Sequence, residues 1–193
     1  MEEKKVDRRV RYTKMVIRES FIALLKEKPI SKITVKEICA GADINRATFY
    51  AHYADPYALL HEIEEALICD IRQYLSESAK DTEADDIAML RKILQYIRSN
   101  ADMCSVLLSD YSDTYFQQLL RELVQHELKL RASSAFSEED GAFILTFVLT
   151  GCVGIIRQWL DSGMAKSDRA LAQLIIRLFY QGIGPENEKE AFS

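Results

Sequence analysis

The sequence predicts an all-α protein of about nine helices. Its 193 residues include only 3 prolines and 7 glycines, and no segment alternates apolar and polar residues as a half-buried strand does. Apolar residues recur every three or four positions, which is the spacing of helices with one buried face. The hydrophobic (48%) and charged (28%) fractions are those of a soluble globular protein.

The first helix is predicted from about Arg8 to Lys26, after a loose basic arm at residues 1–7. Pro29 ends it, because proline cannot donate the backbone hydrogen bond that a helix interior requires. The first half of this helix is rich in basic side chains: Arg8, Arg9, Arg11, Lys14 and Arg18. The helix is therefore expected to brace a basic N-terminal unit.

Residues 34–53 contain two helix starts separated by a short turn. Thr34 and Glu37 have the spacing of a capping box, and Asn45 is a second N-cap residue. Between them, residues 41–43 (Gly-Ala-Asp) tolerate a tight turn. Two short helices in this arrangement predict a helix-turn-helix, whose second helix enters the DNA major groove.

The distribution of charge agrees with a nucleic-acid-binding N-terminus. Although the whole chain has a net charge of -5, residues 1–53 contain 12 Lys or Arg against 7 Asp or Glu, a net of +5. The remainder contains 13 against 23, a net of -10. Since contact with the phosphate backbone needs basic charge, residues 1–53 are predicted to form the DNA-binding domain.

A second, helical domain is predicted over residues 54–183. Asp55 and Pro56 begin a long helix that continues to about Glu77, with no flexible linker before it. Further helices are predicted over about residues 84–98, 101–108, 112–132 and 138–160, and a last one is capped by Ser167 or Asp168. Residues 184–193 are predicted to form a disordered tail.

Residues 34–60 resemble the signature of the TetR family of transcriptional regulators. That signature has a Thr in the first HTH helix, a Thr-[Phe/Leu]-Tyr core in the recognition helix and a Leu-Leu pair in the fourth helix. The corresponding residues here are Thr34, Thr48-Phe49-Tyr50 and Leu59-Leu60. Residues 151–164 also resemble the C-terminal domain of a subgroup that includes the dihydroxyacetone-kinase regulator. The resemblance implies a homodimeric repressor of a palindromic operator, released by a small-molecule effector.

Two positions depart from the family pattern. Asp43 occupies a turn position that is usually Gly, and we expect it to adopt the left-handed conformation that Asp tolerates. Pro56 stands where many members carry a Lys that touches a phosphate, so that contact is lost here.

The recognition helix supplies the predicted base contacts to double-stranded DNA. Arg46 can grip both acceptors of a guanine, while Ala47 and the methyl group of Thr48 can contact a thymine methyl. The resemblance assigns backbone contacts to Tyr50 and Tyr53, although burial of Tyr53 beneath the fourth helix is an alternative. The predicted DNA-binding residues are Thr34, Lys36, Asn45, Arg46, Ala47, Thr48, Tyr50, His52 and Tyr53.

The resemblance places dimerisation in the last two helices. Residues 143–160 are apolar nearly all round, which calls for a partner surface, and Gly151 and Gly154 permit close helix approach. A purely internal core is the alternative. The predicted interface residues are Phe143, Phe147, Gly151, Gly154, Ile155, Leu171, Leu174, Ile175 and Leu178.

An effector pocket is implied among the fourth to eighth helices. No cluster of like charge in the sequence indicates an ionic effector, and each candidate lining residue is equally an ordinary core residue. These candidates are Ile63, Leu67, Ile71, Tyr96, Leu107, Tyr111, Phe116, Phe147 and Trp159.

Other classes of protein are disfavoured. The three histidines have neither nucleophile nor metal-ligand spacing and no Gly-rich phosphate loop occurs, so no enzyme, cofactor or metal is expected. The four cysteines lie scattered among apolar residues, which favours a reducing, cytoplasmic setting. No signal peptide is expected, and the apolar run 143–156 is too short to span a bilayer, so no membrane partner is expected.

A second interpretation keeps the fold but changes the partner. In it, the acidic second domain acts through another protein, as a coactivator or in chromosome organisation. Enrichment of a palindrome among bound genomic fragments separates the two interpretations.

Overall fold

The computed structural model describes residues 2–76, 82–109, 114–131 and 138–182. Within these residues the chain forms nine α-helices and one short 3₁₀-helix, with no strand, which confirms the predicted all-α class. The helices are α1 (Glu2–Glu27), the 3₁₀-helix (Ile30–Lys32), α2 (Val35–Gly41), α3 (Arg46–Tyr50), α4 (Pro56–Ser76), α5 (Glu83–Ser99), α6 (Ala101–Leu107), α7 (Thr114–Arg131), α8 (Glu138–Asp161) and α9 (Asp168–Gln181). The predicted tail at 184–193 lies outside the described residues.

The first helix begins earlier than predicted. Residues 2–7 belong to α1 and not to a loose arm, because they include neither glycine nor proline and are rich in Glu and Lys, which are strong helix formers. The 3₁₀-helix after Pro29 was not predicted. Three residues are too few to show a periodic pattern.

The caps of the helix-turn-helix form as predicted. Thr34 Oγ1 accepts from the Glu37 backbone N–H at 3.3 Å, and the Glu37 carboxylate accepts from the Thr34 N–H at 3.0 Å. Asn45 Oδ1 accepts from the Thr48 N–H at 2.8 Å. Asp43 has a φ of 51°, the left-handed conformation expected of it. Local side-chain chemistry therefore sets the start of both helices.

Close approach of α1 and α2 depends on a small residue in each. The buried Ser20 hydroxyl donates to the backbone carbonyl of Ile38 at 2.9 Å. A Cβ built on Gly41 would lie 2.4 Å from Ser20 Oγ. Fully buried Ile17 and Phe21 of α1 belong to the same core as Ile38. The N-terminal unit, α1–α3, is thus packed with no room for a methyl group at Gly41.

Gly41→Ala is expected to destabilise the protein by about 1–3 kcal/mol, the usual cost of inserting a methyl group where the packing leaves no room for it. The new methyl group would displace the Ser20 hydroxyl from its bond to Ile38. Chemical denaturation measures the effect. The matched control is Gly141→Ala on α8, where a Cβ meets nothing within 4 Å. Equal stability of the two variants would contradict this packing.

The core continues from the N-terminal unit into the rest of the chain. Asp55 Oδ1 caps α4 by accepting from the Ala58 N–H at 2.9 Å. The Leu59-Leu60 pair is buried in the same cluster as Phe49 of α3. Beyond it, α7 packs against both α4 and α8, and α9 packs along α5. Because α4 belongs to both parts of this core, its position couples one to the other.

Helix α8 has an uncovered apolar side. The 22 residues from Asp140 to Asp161 match a membrane span by length and composition, and an 18-residue window within them has a mean hydropathy of 1.7. The apolar run is therefore longer than predicted. Only 17% of that window is buried, and Phe143 and Phe147 are 73% and 70% exposed. An apolar surface of this kind marks a contact with another molecule.

Candidate nucleic-acid interface

One face of α3 is directed to solvent. Arg46, Ala47 and Tyr50 are exposed, and their spacing of three and four residues places them side by side. Phe49, in the same helix, is fully buried, and its ring meets that of Tyr50 edge-on at 5.7 Å between centroids. Burial of Phe49 therefore fixes the orientation in which Arg46 and Tyr50 project.

The two threonines predicted to touch DNA both donate within the protein. The Thr34 hydroxyl donates to Glu37 Oε2 at 2.8 Å, and the Thr48 hydroxyl donates to Asn45 Oδ1 at 3.1 Å. Since a phosphate oxygen only accepts, either hydroxyl would have to exchange this partner to reach the DNA backbone. Lys36 is exposed beside Thr34 on the first turn of α2, where a cation can reach a phosphate without such an exchange.

Tyr53 lies in the core, which corrects its prediction as a phosphate contact. It is 5% exposed, and its hydroxyl donates to Glu62 Oε1 of α4 at 2.7 Å. Burial, followed by this carboxylate, raises the pKa of the Tyr53 hydroxyl above its ordinary value. The alternative of burial beneath the fourth helix is the one the structure adopts.

Glu62 joins α4 to the N-terminal unit. Its second oxygen lies 2.6 Å from Lys14 Nζ, and the Lys14 ammonium also stands 5.4 Å from the Tyr53 ring centroid. Although burial acts in the opposite direction, the hydrogen bonds from Lys14 and Tyr53 lower the pKa of the Glu62 carboxyl. His52 is half-buried, with its ring 6.3 Å from that of Tyr53. Movement of α4 therefore acts on α1 and on the residues following α3.

Acid is expected to destabilise the native protein partly through Glu37. A hydrogen bond from Lys28 at 2.5 Å, followed by those from Thr34, lowers the pKa of Glu37 from 4.5 to about 2. Because the folded pKa is depressed, the stabilisation is present above pH 4.5 and is lost as pH falls towards 2. The free energy of unfolding, measured by denaturation at a series of pH values, should therefore fall less steeply across this pH range for Glu37→Gln than for the wild type. Glu122→Gln, at an exposed site on α7, should keep the wild-type slope; equal slopes for both variants would contradict this role.

An apolar cavity of about 240 Å³ lies among α4–α9. Of the predicted pocket residues, Leu67, Ile71 and Phe116 line it. Residues of α5 and α8 that were not predicted as pocket residues also line it: Met89, Ile93, Val148, Cys152 and Ile156. These residues have the same helical spacing as ordinary core residues, so their pattern held no signal that distinguishes a cavity wall.

Among the described residues, the other predicted pocket residues do not line the cavity. Ile63 and Leu107 are buried in the core, and Phe147 is exposed. The Trp159 indole N–H donates to the Lys166 carbonyl at 2.8 Å, and the Tyr96 hydroxyl donates to Asp70 at 2.6 Å. These hydrogen bonds account for the positions of the two rings. Tyr111 lies outside the described residues.

The predicted dimer residues divide into three sets. Phe143, Phe147, Gly151 and Gly154 are exposed along α8, at the three- and four-residue spacing of one face. The half-buried members are Ile155, Leu174 and Leu178. Leu171 and Ile175 are buried within the protomer, which corrects their assignment: α9 turns this face towards α5 and not towards a second copy.

Known proteins resemble the chain over almost its whole length. The model of the TetR_C_8 family, described as a transcriptional regulator C-terminal region, matches residues 87–181. The HTH-type transcriptional regulator YxbF of Bacillus subtilis is 34% identical, over 90% of this chain and 49% of the relative. The crystal structure of a TetR transcriptional regulator from Streptococcus agalactiae is 28% identical and has a TM-score of 0.64, covering 91% of this chain and 98% of that one.

The chain belongs to the TetR family. It spans about half the length of the curated relative that it matches. Two more distant structures share the TetR fold. The dihydroxyacetone kinase operon activator DhaS is 20% identical with a TM-score of 0.54, over 86% of this chain and 93% of that one. FadR of Bacillus subtilis, in complex with stearoyl-CoA, is 14% identical with a TM-score of 0.65, over 88% and 99%.

At Asp43 and Pro56 the chain departs from the TetR pattern, and the structure shows what each departure changes. At the turn, the left-handed φ of Asp43 keeps the geometry that the family's usual glycine provides. At the start of α4, Pro56 cannot supply the phosphate contact of a lysine. Asp55 instead caps this helix with its carboxylate, so the family fold is retained here with one fewer cation.

Proposed function

We propose that this TetR-family chain is a dimeric repressor that binds a palindromic operator and is released by a small-molecule effector. The observation that carries the proposal is the exposed face of α3, on which Arg46, Ala47 and Tyr50 lie side by side. This face belongs to a segment, residues 1–53, with a net charge of +5. The guanidinium of Arg46 lies on a short helix that is packed against the core, and it is suited to reading guanine in the major groove.

The exposed stripe on α8 supports a dimer. Phe143 and Phe147 place two large aromatic rings in solvent on a helix that also presents Gly151 and Gly154. A second copy related by two-fold symmetry would bury the same stripe on both chains. The two recognition helices of such a dimer contact two half-sites about 34 Å apart, or a multiple of that distance. Because the two helices are related by two-fold symmetry, the operator is expected to be a palindrome.

The cavity and α4 together support release by an effector. Leu67 and Ile71 of α4 line the cavity, while Glu62 of the same helix holds Lys14 and Tyr53. A ligand that shifts α4 therefore shifts the N-terminal unit and changes the separation of the two recognition helices. Release requires the ligand to bind the shifted state more tightly than the DNA-bound state.

Activation is the second candidate. It is favoured by the fold likeness to DhaS, an operon activator, and by the net charge of -10 beyond residue 53, which suits contact with a protein partner. In it the same face of α3 would bind DNA, while the acidic part of the chain would recruit, and not exclude, the transcription machinery.

In vitro transcription distinguishes the two candidates. The template is a promoter that contains a genomic fragment retained by the purified protein. A repressor lowers the transcript yield, and a ligand that occupies the cavity restores it. An increase in transcript on adding the protein would overturn repression in favour of activation.

A further inference from the structure

The cavity among α4–α9 presents a surface that is almost wholly apolar. Each of the six helices contributes aliphatic or aromatic side chains to its wall. Among the described residues that line it, those with a thiol or a carboxylate are Cys104, Cys152, Asp86 and Glu127, and none is Lys, Arg or His. A ligand inside the cavity therefore meets mainly carbon atoms.

The thiols and carboxylates of these four residues are neutral or engaged within the chain. Burial raises the pKa of both thiols, so Cys104 and Cys152 stay protonated at pH 7. Asp86 is 4% exposed, and its Oδ2 accepts from the Tyr180 hydroxyl at 2.7 Å. Glu127 also interacts with another group of the chain. The character of the site is thus set by its apolar surface.

Such a surface discriminates against ions of either sign. Moving an ionised carboxylate or ammonium group from water into apolar surroundings costs far more than moving an uncharged group of similar size. A benzene ring or an alkyl chain, in contrast, gains free energy in proportion to the apolar area that leaves water. An uncharged ligand is therefore favoured over an acid or an amine with the same carbon skeleton.

The volume of the cavity limits the size of the ligand. An engineered apolar cavity of about 150 Å³ binds benzene, which has six carbon atoms. In the same proportion, a cavity of about 240 Å³ has room for roughly eight to ten carbon atoms. An eighteen-carbon chain, such as that of the stearoyl-CoA bound to FadR, would need about twice this volume.

We infer that the effector site binds a compact, uncharged apolar molecule of about eight to ten carbon atoms, and discriminates against organic acids and amines of the same size. This inference rests on the proposed function, because it names the ligand class of the same site. Val148 and Ile156 of α8 face Leu67 and Ile71 of α4 across the cavity lining, so the ligand contacts the helix that holds the N-terminal unit.

Isothermal titration calorimetry of the full chain with three matched probes tests the ligand class. Ethylbenzene, phenylacetate and phenethylammonium each have eight carbon atoms and one benzene ring, and at pH 7 they are neutral, anionic and cationic. Ethylbenzene is expected to bind at least tenfold more tightly than either ion. An ion that binds as tightly as ethylbenzene, or no binding of ethylbenzene up to its solubility limit, would overturn the inference.

Filling the cavity locates the bound probe. Val148 is half-buried and lines the cavity, so Val148→Phe should lower the affinity for ethylbenzene at least tenfold. Val106→Phe is the matched control, because Val106 of α6 is also half-buried and is absent from the lining. It should bind ethylbenzene within twofold of the wild type. Unchanged affinity in a folded Val148→Phe protein would place the probe elsewhere and overturn the inference.

Enlarging the cavity gives a second test that does not depend on how well a filled variant folds. Ile156→Ala removes three carbon atoms from the lining and should raise the affinity for butylbenzene, relative to ethylbenzene, at least threefold. Ile87→Ala, at a half-buried position of α5 outside the lining, should leave this ratio unchanged. Since the ratio is taken within each variant, a moderate loss of stability does not affect it. Equal ratios in Ile156→Ala and the wild type would overturn the inference.

DNA binding by the same samples separates this inference from the proposed function. A protein that enriches an operator but shows no preference for ethylbenzene over the two ions loses the ligand class alone. A protein that prefers ethylbenzene but enriches no DNA sequence, or keeps its operator when ethylbenzene is bound, retains the ligand class and loses the proposed function.

Discussion

Arg46→Ala is expected to weaken binding to the operator at least tenfold and to relax base preference at one position in each half-site. A bidentate arginine–guanine contact contributes about 1–3 kcal/mol of discrimination per base, and a two-fold dimer makes the contact twice. Arg46 is exposed at the first position of α3, whose Asn45 cap and buried Phe49 leave the helix intact in the variant. Fluorescence anisotropy with the selected operator and with single-base variants measures both effects.

Lys36→Ala is the matched control for Arg46→Ala. Lys36 is also exposed, but it lies on α2, and we predict that it contacts a phosphate and not a base. Its loss should weaken binding to all sequences alike and lower the dependence on salt by about one ion per contact. Unchanged affinity and base preference in Arg46→Ala would remove this residue from base recognition.

The double substitution Phe143→Lys/Phe147→Lys is expected to convert the proposed dimer to a monomer. Full burial of one phenylalanine side chain stabilises an interface by about 1.5–3 kcal/mol, and a two-fold interface buries four of them. Their replacement by like charges should therefore raise the dimer dissociation constant by more than a thousandfold. Analytical ultracentrifugation measures this constant, and operator affinity should fall with it because half-sites would be bound singly.

The same variant should fold normally, because both rings are largely exposed within the protomer. Its thermal unfolding at concentrations where the wild type is monomeric checks this point. Tyr12→Lys, which replaces an exposed aromatic residue of α1, is the control for added charge and should stay dimeric. A dimer that survives both substitutions on α8 would place the interface elsewhere.

Features that depend on neighbours in the chain were predictable from sequence. Asn45 and Asp55 cap α3 and α4 through a backbone N–H three residues ahead, and Thr34 with Glu37 does the same at α2. Such bonds require only the right residue types at the right spacing. The number and approximate limits of the helices followed for the same reason, since each helix has its own apolar periodicity and its own stop residues.

Features that depend on contacts between residues distant in the chain could not be predicted from the sequence. The prediction for Tyr53 failed because its hydroxyl partner, Glu62, lies on another helix, and no local pattern distinguishes a hydroxyl aimed at α4 from one aimed at DNA. Leu171 and Ile175 share the apolar spacing of an interface residue, and only the packing of α9 on α5 decides which surface they face. The wall of the cavity likewise brings together residues of separate helices, such as Leu67 of α4, Met89 of α5 and Val148 of α8.

Sequencing of the genomic fragments that the purified protein retains shows whether two copies of the exposed α3 face read a palindrome. Wild type and Arg46→Ala are compared side by side at physiological salt. We expect one enriched inverted repeat for the wild type, with a guanine in each half-site whose enrichment is lost in Arg46→Ala. Retention of fragments without any shared inverted repeat would contradict it.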